Sequence, residues 1–274
     1  MVVTKNITAI KPSFFHICAR INYRFVPSFR RFPRNYRTIS YSRRCALPNQ
    51  FNDYANSTIE NNAKDLEELI DRTGGGSVHL IGHSYGGPVA ALCALRHPEF
   101  VRSLVLIEPY LPRMVVDQKS MIDSLSLLIR KPSLAMSGLK SLNNIKTMLR
   151  EVSRKNMEKA LDTYYSNTWE HKDVKVQLSM SARAMMLDNM ETFRELLTEV
   201  PTFNKDDAAR IVPPTLILTG EHTIKYMKGV AMELHVTIPN NQIVIIRNAS
   251  HYPHIENPKE CNDKIMEFLS EHAC

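Results

Sequence analysis

The stretch that most constrains the fold of this 274-residue chain is VHLIGHSYGGPVAA, residues 78–91. Its first half is a run of β-forming residues, and its second half has the pattern of a helix. The GHSYG pentapeptide between them matches G-x-S-x-G, which places a serine on a sharp turn from a strand into a helix. We therefore expect Ser84 to be a nucleophile at the carboxyl end of a strand. The backbone N–H of Tyr85 would then point at a developing oxyanion.

This turn belongs to a longer alternation of strands and helices, and the strands are continuously apolar. Such strands are typical of a parallel sheet that is covered on both faces. The sequence therefore predicts an α/β fold, with a mostly parallel sheet flanked by helices and built from residues 36–111 and 208–274. Residues 112–207 are rich in helix-like segments and would form an inserted helical cap over the site. The helix before the motif is predicted to begin with a capping box of Ser57 and Glu60.

The first part of the chain differs in charge from the rest. Residues 1–52 hold ten of the 35 Lys and Arg residues and none of the 28 acidic residues. We interpret residues 1–35 as a basic segment that is either disordered or contains vestigial first strands. An Arg-rich, acid-poor start also allows targeting to an organelle as the alternative to a cytoplasmic location. We expect no nucleic-acid partner, because the basic residues do not mark a folded face. We also expect no membrane span, because no apolar run approaches about 18 residues.

A serine hydroxyl needs a general base, and the base needs an acid to orient it. His251 directly follows the last predicted strand, so it lies at the same carboxyl edge as Ser84, with His254 as the second choice. Two carboxylates end strands at that edge. Glu108 ends the strand that follows the serine's helix, and Glu221 ends a later one. We predict the set Ser84, His251 and Glu108, with Glu221 as the alternative acid.

Three segments carry a resemblance to a known family: VHLIGHSYGGPVAALCALRHPEFVRSLVLIEP, VPPTLILTGE and NASHYPHIENP. From about Tyr36 to its end, the chain resembles the α/β-hydrolase family with a serine nucleophile and a helical cap. In most members the acid lies a few residues beyond the strand equivalent to TLILTG, where this chain has Thr223. In another branch the acid stands at the place of Glu108, and SYSRR…PN, residues 40–49, also looks like that branch. The resemblance therefore favours Glu108 and His251.

The chain departs from the family at its front end. Family members begin with two or three further strands and a His-Gly motif, whose following backbone N–H completes the oxyanion hole. Here His16 is followed by Ile17, so Ile17 is the candidate for the second donor, and the first two strands are expected to be missing or vestigial. Losing one oxyanion donor typically lowers the rate about a hundred- to a thousandfold. Loss of the first strands would also expose a sheet edge and allow homo-oligomers.

The predicted function is that of a serine hydrolase, which cleaves a small or medium ester or a related acyl substrate and needs no cofactor or metal. A carbon–carbon bond hydrolase or an acyltransferase on the same triad is the close chemical variant. Hydrolysis of epoxides or haloalkanes is disfavoured for this chain, because the relatives with those activities use Asp as the nucleophile. The alternative from another class is a weak or inactive homologue that binds a ligand or signals. Met185, Met186 and Met190 are candidates for an apolar substrate pocket, although the sequence favours core filling as their role.

Overall fold

The computed structural model describes a six-stranded parallel sheet with helices on its two faces. The residues described are 13–18, 36–46, 49, 53–73, 77–116, 129–166, 184, 187–189 and 199–273. The strands are β1 Ser13–Cys18, β2 Arg37–Ser40, β3 Val78–His83, β4 Val101–Ile107, β5 Thr215–Gly220 and β6 Asn241–Ile246. They lie in the order β2-β1-β3-β4-β5-β6, and every neighbouring pair is parallel.

The helices follow the strands along the chain as the alternation predicts. They are α1 Ile59–Arg72, α2 Gly86–Arg96, α3 Pro132–Ser153, α4 Met157–Ser166, α5 Lys205–Ala208, α6 Lys225–Thr237, α7 Pro253–Glu256 and α8 Pro258–Glu271. Single 3₁₀ turns lie at Tyr54–Asn56, Pro98–Phe100 and Pro112–Met114. No helix in the described part of the chain is long and apolar enough to cross a membrane.

The central strands are buried along their whole length. Every residue of β3 and of β5 is buried, since α1, α2 and α6 pack against one face and α8 against the other. Strands that are covered on both faces need apolar side chains at successive positions, which is why they read as continuous apolar runs. The prediction of a mostly parallel sheet flanked by helices is confirmed. Its carboxyl edge carries the turns that follow β3, β4 and β5.

β1 lies in a segment that the sequence suggests is vestigial or disordered. Residues 13–18 form a six-residue strand in the interior of the sheet, between β2 and β3. Its register pairs Ile17 with Gly82 and Cys18 with His83, so β1 ends level with the end of β3. The SFFHIC sequence is apolar and rich in β-formers, as an interior strand requires. This part of the front end is therefore an integral strand of the sheet.

The start of α1 differs from the predicted capping box. The N-cap residue is Thr58, whose side chain accepts a hydrogen bond from the backbone N–H of Asn61 at 3.1 Å. Ser57 lies one residue before the cap, and its hydroxyl donates to the carbonyl of Arg44 at 3.4 Å. The assignment of Ser57 and Glu60 was wrong by one position, because Ser and Thr are adjacent here and both are good cap residues.

The insertion is helical where it is described. α3 and α4 pack through a small cluster of Met148, Val152, Ala160 and Leu161. The chain turns between them at Lys155, which has φ of 58°. One of the helix-like segments of the sequence, residues 142–165, is divided by the structure into two helices that contact each other. The role of this region as a lid stays a prediction.

One histidine lies far from the carboxyl edge and is completely buried. His79, the second residue of β3, has no exposed surface, and its Nδ1 lies 2.7 Å from the hydroxyl of Ser103 on β4. Burial lowers the pKa of His79 from 6.5 to about 4, and the positive charges of Arg102 and His272 act in the same direction. His79 is therefore neutral in the folded protein at neutral pH.

We expect His79 to make the fold sensitive to acid. In the unfolded chain it binds a proton below about pH 6.5, whereas the folded protein resists protonation down to about pH 4. Stability is therefore retained above pH 6.5 and lost as the pH falls towards 4, by about 3 kcal/mol in total. Urea unfolding at pH 7.5 and 4.5 should show a smaller loss for His79→Gln than for the wild type. His97→Gln, at a partly exposed histidine, is the matched control. Equal losses in all three proteins would contradict this assignment.

Candidate active site

Ser84 lies on the turn between β3 and α2, in the conformation that the motif predicts. Its φ is 54°, a value that residues with a side chain rarely adopt. The backbone N–H of Ser84 donates to the carbonyl of Ile107 at 3.0 Å, which ties the turn to the end of β4. A Cβ on Gly82 would lie 2.5 Å from the carbonyl oxygen of Gly86, so the turn closes only with glycine at position 82. Glycine at position 82 therefore allows the tight turn on which Ser84 lies.

The structure brings Ser84, His251 and Glu108 together in one line of contacts. Oγ of Ser84 lies 3.0 Å from Nε2 of His251, and Nδ1 of His251 lies 3.3 Å from Oε2 of Glu108. His251 and Glu108 are buried, at 7% and 1% exposure. An ionised carboxylate can only accept, so Nδ1 carries the imidazole proton and Nε2 is left to accept the serine proton. This arrangement can activate the hydroxyl of Ser84.

Glu108 is held by three further donors at the end of β5. Its Oε1 accepts hydrogen bonds from the hydroxyl of Thr219 at 2.6 Å and from the backbone N–H of Gly220 at 2.8 Å. Its Oε2 accepts from the hydroxyl of Thr223 at 2.8 Å and also faces His251. Glu108 itself has φ of 46°, so a second residue of this site has a strained backbone. The carboxylate is thereby fixed in one orientation.

The sequence points to one of the two threonines around Glu108. Thr223 stands where most family members carry the acid, and in the structure its hydroxyl donates a hydrogen bond to Glu108. The signal for Thr219 was available in principle, because it is the last residue but one of β5, the strand that pairs with β4, and Glu108 directly follows β4.

The alternative acid, Glu221, is directed elsewhere. Its carboxylate accepts a hydrogen bond from the backbone N–H of Asn248 at 2.9 Å, and its side chain is 47% exposed. The second-choice base, His254, is buried and packs edge-on against His83, with 4.6 Å between the ring centroids. The residue that faces both Ser84 and Glu108 is His251. The geometry therefore favours the first choice for both the base and the acid.

Tyr85 is the N-cap residue of α2, and its side chain is anchored by two contacts. Its hydroxyl donates to Glu199 at 2.7 Å, and the guanidinium of Arg43 lies 4.7 Å from the ring centroid. Within the described ranges, no residue accepts a hydrogen bond from the backbone N–H of Tyr85, which is what an oxyanion donor requires. Ile17 lies inside β1, opposite Gly82, and its role as the second donor stays a prediction.

The insertion reaches the site through a pair of tyrosines. The hydroxyl of Tyr252, the residue after His251, lies 3.1 Å from the hydroxyl of Tyr164 on α4. This contact brings α4 close to the carboxyl edge of the sheet. The predicted pocket residues Met185, Met186 and Met190 lie outside the described residues.

A line of contacts from a part-buried serine to a buried histidine and a buried carboxylate, at the carboxyl edge of a parallel sheet, defines a class of protein. Residues 13–264 match the model of the alpha/beta hydrolase family, and the chain belongs to that family. The match begins at β1, which supports the place of that strand in the fold.

Among curated relatives, the chain is 27% identical over 218 residues to a 2-hydroxy-6-oxononadienedioate/2-hydroxy-6-oxononatrienedioate hydrolase of Cupriavidus pinatubonensis, covering 78% of this chain and 70% of the relative. It is 23% identical to the sn-1-specific diacylglycerol lipase ABHD11 of Mus musculus, over 78% and 66% of the two chains. Among solved structures, MenH from S. aureus superposes with a TM-score of 0.74 at 17% identity, covering 99% and 98% of the chains. The two curated relatives are hydrolases, and the solved structure shows a shared fold.

Proposed function

We propose that this protein is a serine hydrolase that cleaves an ester or a related acyl substrate through an acyl-enzyme on Ser84. The observation that carries the proposal is the line of contacts from Ser84 Oγ to His251 Nε2 at 3.0 Å and from His251 Nδ1 to Glu108 Oε2 at 3.3 Å. It is supported by membership of the alpha/beta hydrolase family and by relatives that hydrolyse their substrates.

The chemistry follows from the positions of these groups. Ser84 Oγ attacks the substrate carbonyl while His251 Nε2 takes its proton, and the imidazolium so formed faces the carboxylate of Glu108. The oxyanion develops near the backbone N–H of Tyr85, at the N-terminal end of α2, where the helix dipole also favours negative charge. His251 then returns the proton to the leaving group, and a water molecule activated by His251 releases the acid.

A second reaction is supported by the relatives. The Cupriavidus enzyme, by its name, hydrolyses a dienedioate or trienedioate substrate with 2-hydroxy and 6-oxo groups. In a carbon–carbon cleavage on the present site, the leaving group would be a carbanion or enol and would need a proton as the C–C bond breaks. His251 is placed to supply it after accepting the proton of Ser84. The same residues could therefore act on an ester or on a carbon–carbon substrate. Tests with the two kinds of substrate distinguish these reactions.

The test of this proposal is labelling of the purified protein with a fluorophosphonate, followed by mass spectrometry of the labelled peptide. We expect one label, on the peptide that contains Ser84, together with turnover of short-chain p-nitrophenyl esters or of a vinylogous 1,5-diketone. Ester turnover alone favours an esterase, and diketone turnover alone favours the carbon–carbon reaction. A folded protein that takes no label and turns over neither substrate would contradict the proposal and favour a ligand-binding homologue.

A further inference from the structure

A second carboxylate lies next to the base and has no part in the proton relay. Glu256 ends α7, the one-turn helix that follows His251, and its side chain turns back towards Ser250. Its Oε1 accepts a hydrogen bond from the hydroxyl of Ser250 at 2.9 Å, and its Oε2 accepts a short hydrogen bond from the backbone N–H of Ser250. Both oxygens are thus engaged by the residue that directly precedes His251.

The opposite side of the same peptide segment is held by a histidine. Nε2 of His83 lies 2.8 Å from the carbonyl oxygen of His251, and His83 is buried at 1% exposure. A carbonyl oxygen carries no proton, so Nε2 of His83 is the donor in this contact. Since His83 immediately precedes Ser84, this hydrogen bond links the nucleophile's turn directly to the main chain of the base.

We infer that Glu256 is a positioning residue for His251, acting with His83 as a main-chain clamp on Ser250 and His251. The inference rests on the proposed function, because it assigns Glu256 a task in the reaction of Ser84. Glu256 touches neither the substrate nor the reacting atoms. It holds the N–H side of this segment, and His83 holds the C=O side.

The loop has little room to compensate for the loss of the clamp. A Cβ on Gly220 would lie 2.3 Å from the carbonyl oxygen of Ser250, so the loop already packs directly against the end of β5. The backbone N–H of His222 donates to the carbonyl of Ala249 at 2.7 Å and holds the residue before Ser250. A rotation of the Ser250 peptide would therefore shift the imidazole of His251 relative to Ser84. Displacement of a reacting group by about 1 Å can cost about a hundredfold in rate.

The clamp also has a dependence on pH. Burial raises the pKa of Glu256 to about 7, the hydrogen bonds from Ser250 oppose the rise, and the negative charge of Glu108 adds to it. The ionised carboxylate accepts both Ser250 hydrogen bonds, whereas the protonated form offers one acceptor fewer. The clamp is therefore complete above about pH 7 and weakens below it.

The other charged groups close to Glu256 are engaged elsewhere. On α8, which packs against α7, Lys259 pairs with Asp263 and Glu260 binds Arg247. The thiol of Cys261 on the same helix has its pKa raised to about 12 by burial and stays neutral. β5, which also contacts α7, carries no titratable side chain, and the neighbouring imidazoles are those of His83, His251 and His254.

The geometry of the clamp is tested by hydrogen exchange, which does not depend on activity. In Glu256→Gln, we expect amide exchange in a peptide covering residues 249–252 to be about tenfold faster than in the wild type. Glu260→Gln is the matched control, because Glu260 accepts from the backbone N–H of Arg247 on the same loop at 3.2 Å, four residues before His251. Ser250→Ala, which removes one hydroxyl, is the second variant and should give a smaller effect in the same peptide.

The role in the reaction is tested by kinetics on the same proteins. Glu256→Gln should lower kcat by about 10- to 100-fold with KM changed by less than about threefold, because substrate contacts are untouched. In the wild type, protonation of Glu256 should add a step of the same 10- to 100-fold size to the fall of kcat/KM as the pH drops through about 7. This step should be absent from Glu256→Gln and present in Glu260→Gln.

The outcomes separate this inference from the proposed function. Faster exchange together with a lower kcat and the loss of the step near pH 7 in Glu256→Gln supports the clamp. Unchanged exchange in Glu256→Gln overturns it, and so does unchanged kcat in an active enzyme. If the wild type shows neither labelling nor turnover, the proposed function fails, and the clamp fails with it as a catalytic device even where exchange confirms the contacts.

Discussion

Ser84→Ala is expected to lower kcat about a millionfold for any substrate that the wild-type protein turns over, and to abolish fluorophosphonate labelling. Alanine lacks the Oγ atom on which the proposed acyl-enzyme would form, and it leaves His251 without a hydroxyl proton to accept. Alanine at φ of 54° is strained to the same extent as serine, so the free energy of unfolding should change little. The measurements are single-turnover hydrolysis, labelling, and urea unfolding of both proteins.

The control for Ser84→Ala is Ser270→Ala, at an exposed serine near the end of α8. It should keep full activity and full labelling. Residual turnover in Ser84→Ala within tenfold of the wild type would mean that a group other than Ser84 attacks the substrate, and the acyl-enzyme mechanism would then be wrong.

Glu108→Gln is expected to lower kcat by about 10⁴-fold, because an amide next to Nδ1 no longer selects the productive tautomer of His251 or stabilises its imidazolium. Three donors also surround the carboxylate of Glu108. In the variant, an amide nitrogen that points at any of these donors could not accept its hydrogen bond. The loss should be in kcat rather than KM. Glu221→Gln is the paired variant and should leave kcat within about twofold, since Glu221 is partly exposed and binds the backbone of Asn248.

The position of Thr223 allows a sharper form of this test. Its hydroxyl lies 2.8 Å from the carboxylate oxygen that faces His251. In the double variant Glu108→Ala with Thr223→Asp, the new carboxylate should reach the same side of the imidazole from the loop after β5. We expect it to recover roughly a hundredfold of the activity lost in Glu108→Ala. If the folded double variant recovers no activity, a carboxylate can orient His251 only from the end of β4.

The turn at Ser84 and the position of Glu108 beside His251 were predictable, because both depend on where strands end. Residues that end neighbouring parallel strands meet at one edge, so the order of strands and the place of each carboxylate in the sequence are sufficient to propose the set. The choice between Glu108 and Glu221 could not be made from strand ends alone, since both satisfy that rule. The choice depends on the direction in which each carboxylate points. For Glu108, donors such as Thr219 and Thr223 determine that direction.

Two other features could not be predicted from local pattern. β1 pairs with β3, more than 60 residues away, and neighbours in a parallel sheet are not neighbours in the chain. Glu256 accepts a hydrogen bond from the backbone N–H of Ser250, and His83 donates one to the carbonyl of His251. Main-chain partners of this kind leave no trace in the sequence. The capping box failed for a different reason, because the two adjacent residues Ser57 and Thr58 satisfy the same rule.

The positive φ values at Ser84 and Glu108 have a consequence for how this protein would respond to thermal selection. Glycine adopts such angles freely, whereas a residue held there by its surroundings typically costs about 1–3 kcal/mol. At Ser84, a screen for heat resistance alone should therefore favour glycine, at the expense of the hydroxyl. At Glu108 the gain is opposed, because glycine would leave the three donors around the carboxylate without an acceptor. Ser84 is thus the position where heat resistance and the proposed reaction oppose each other most directly.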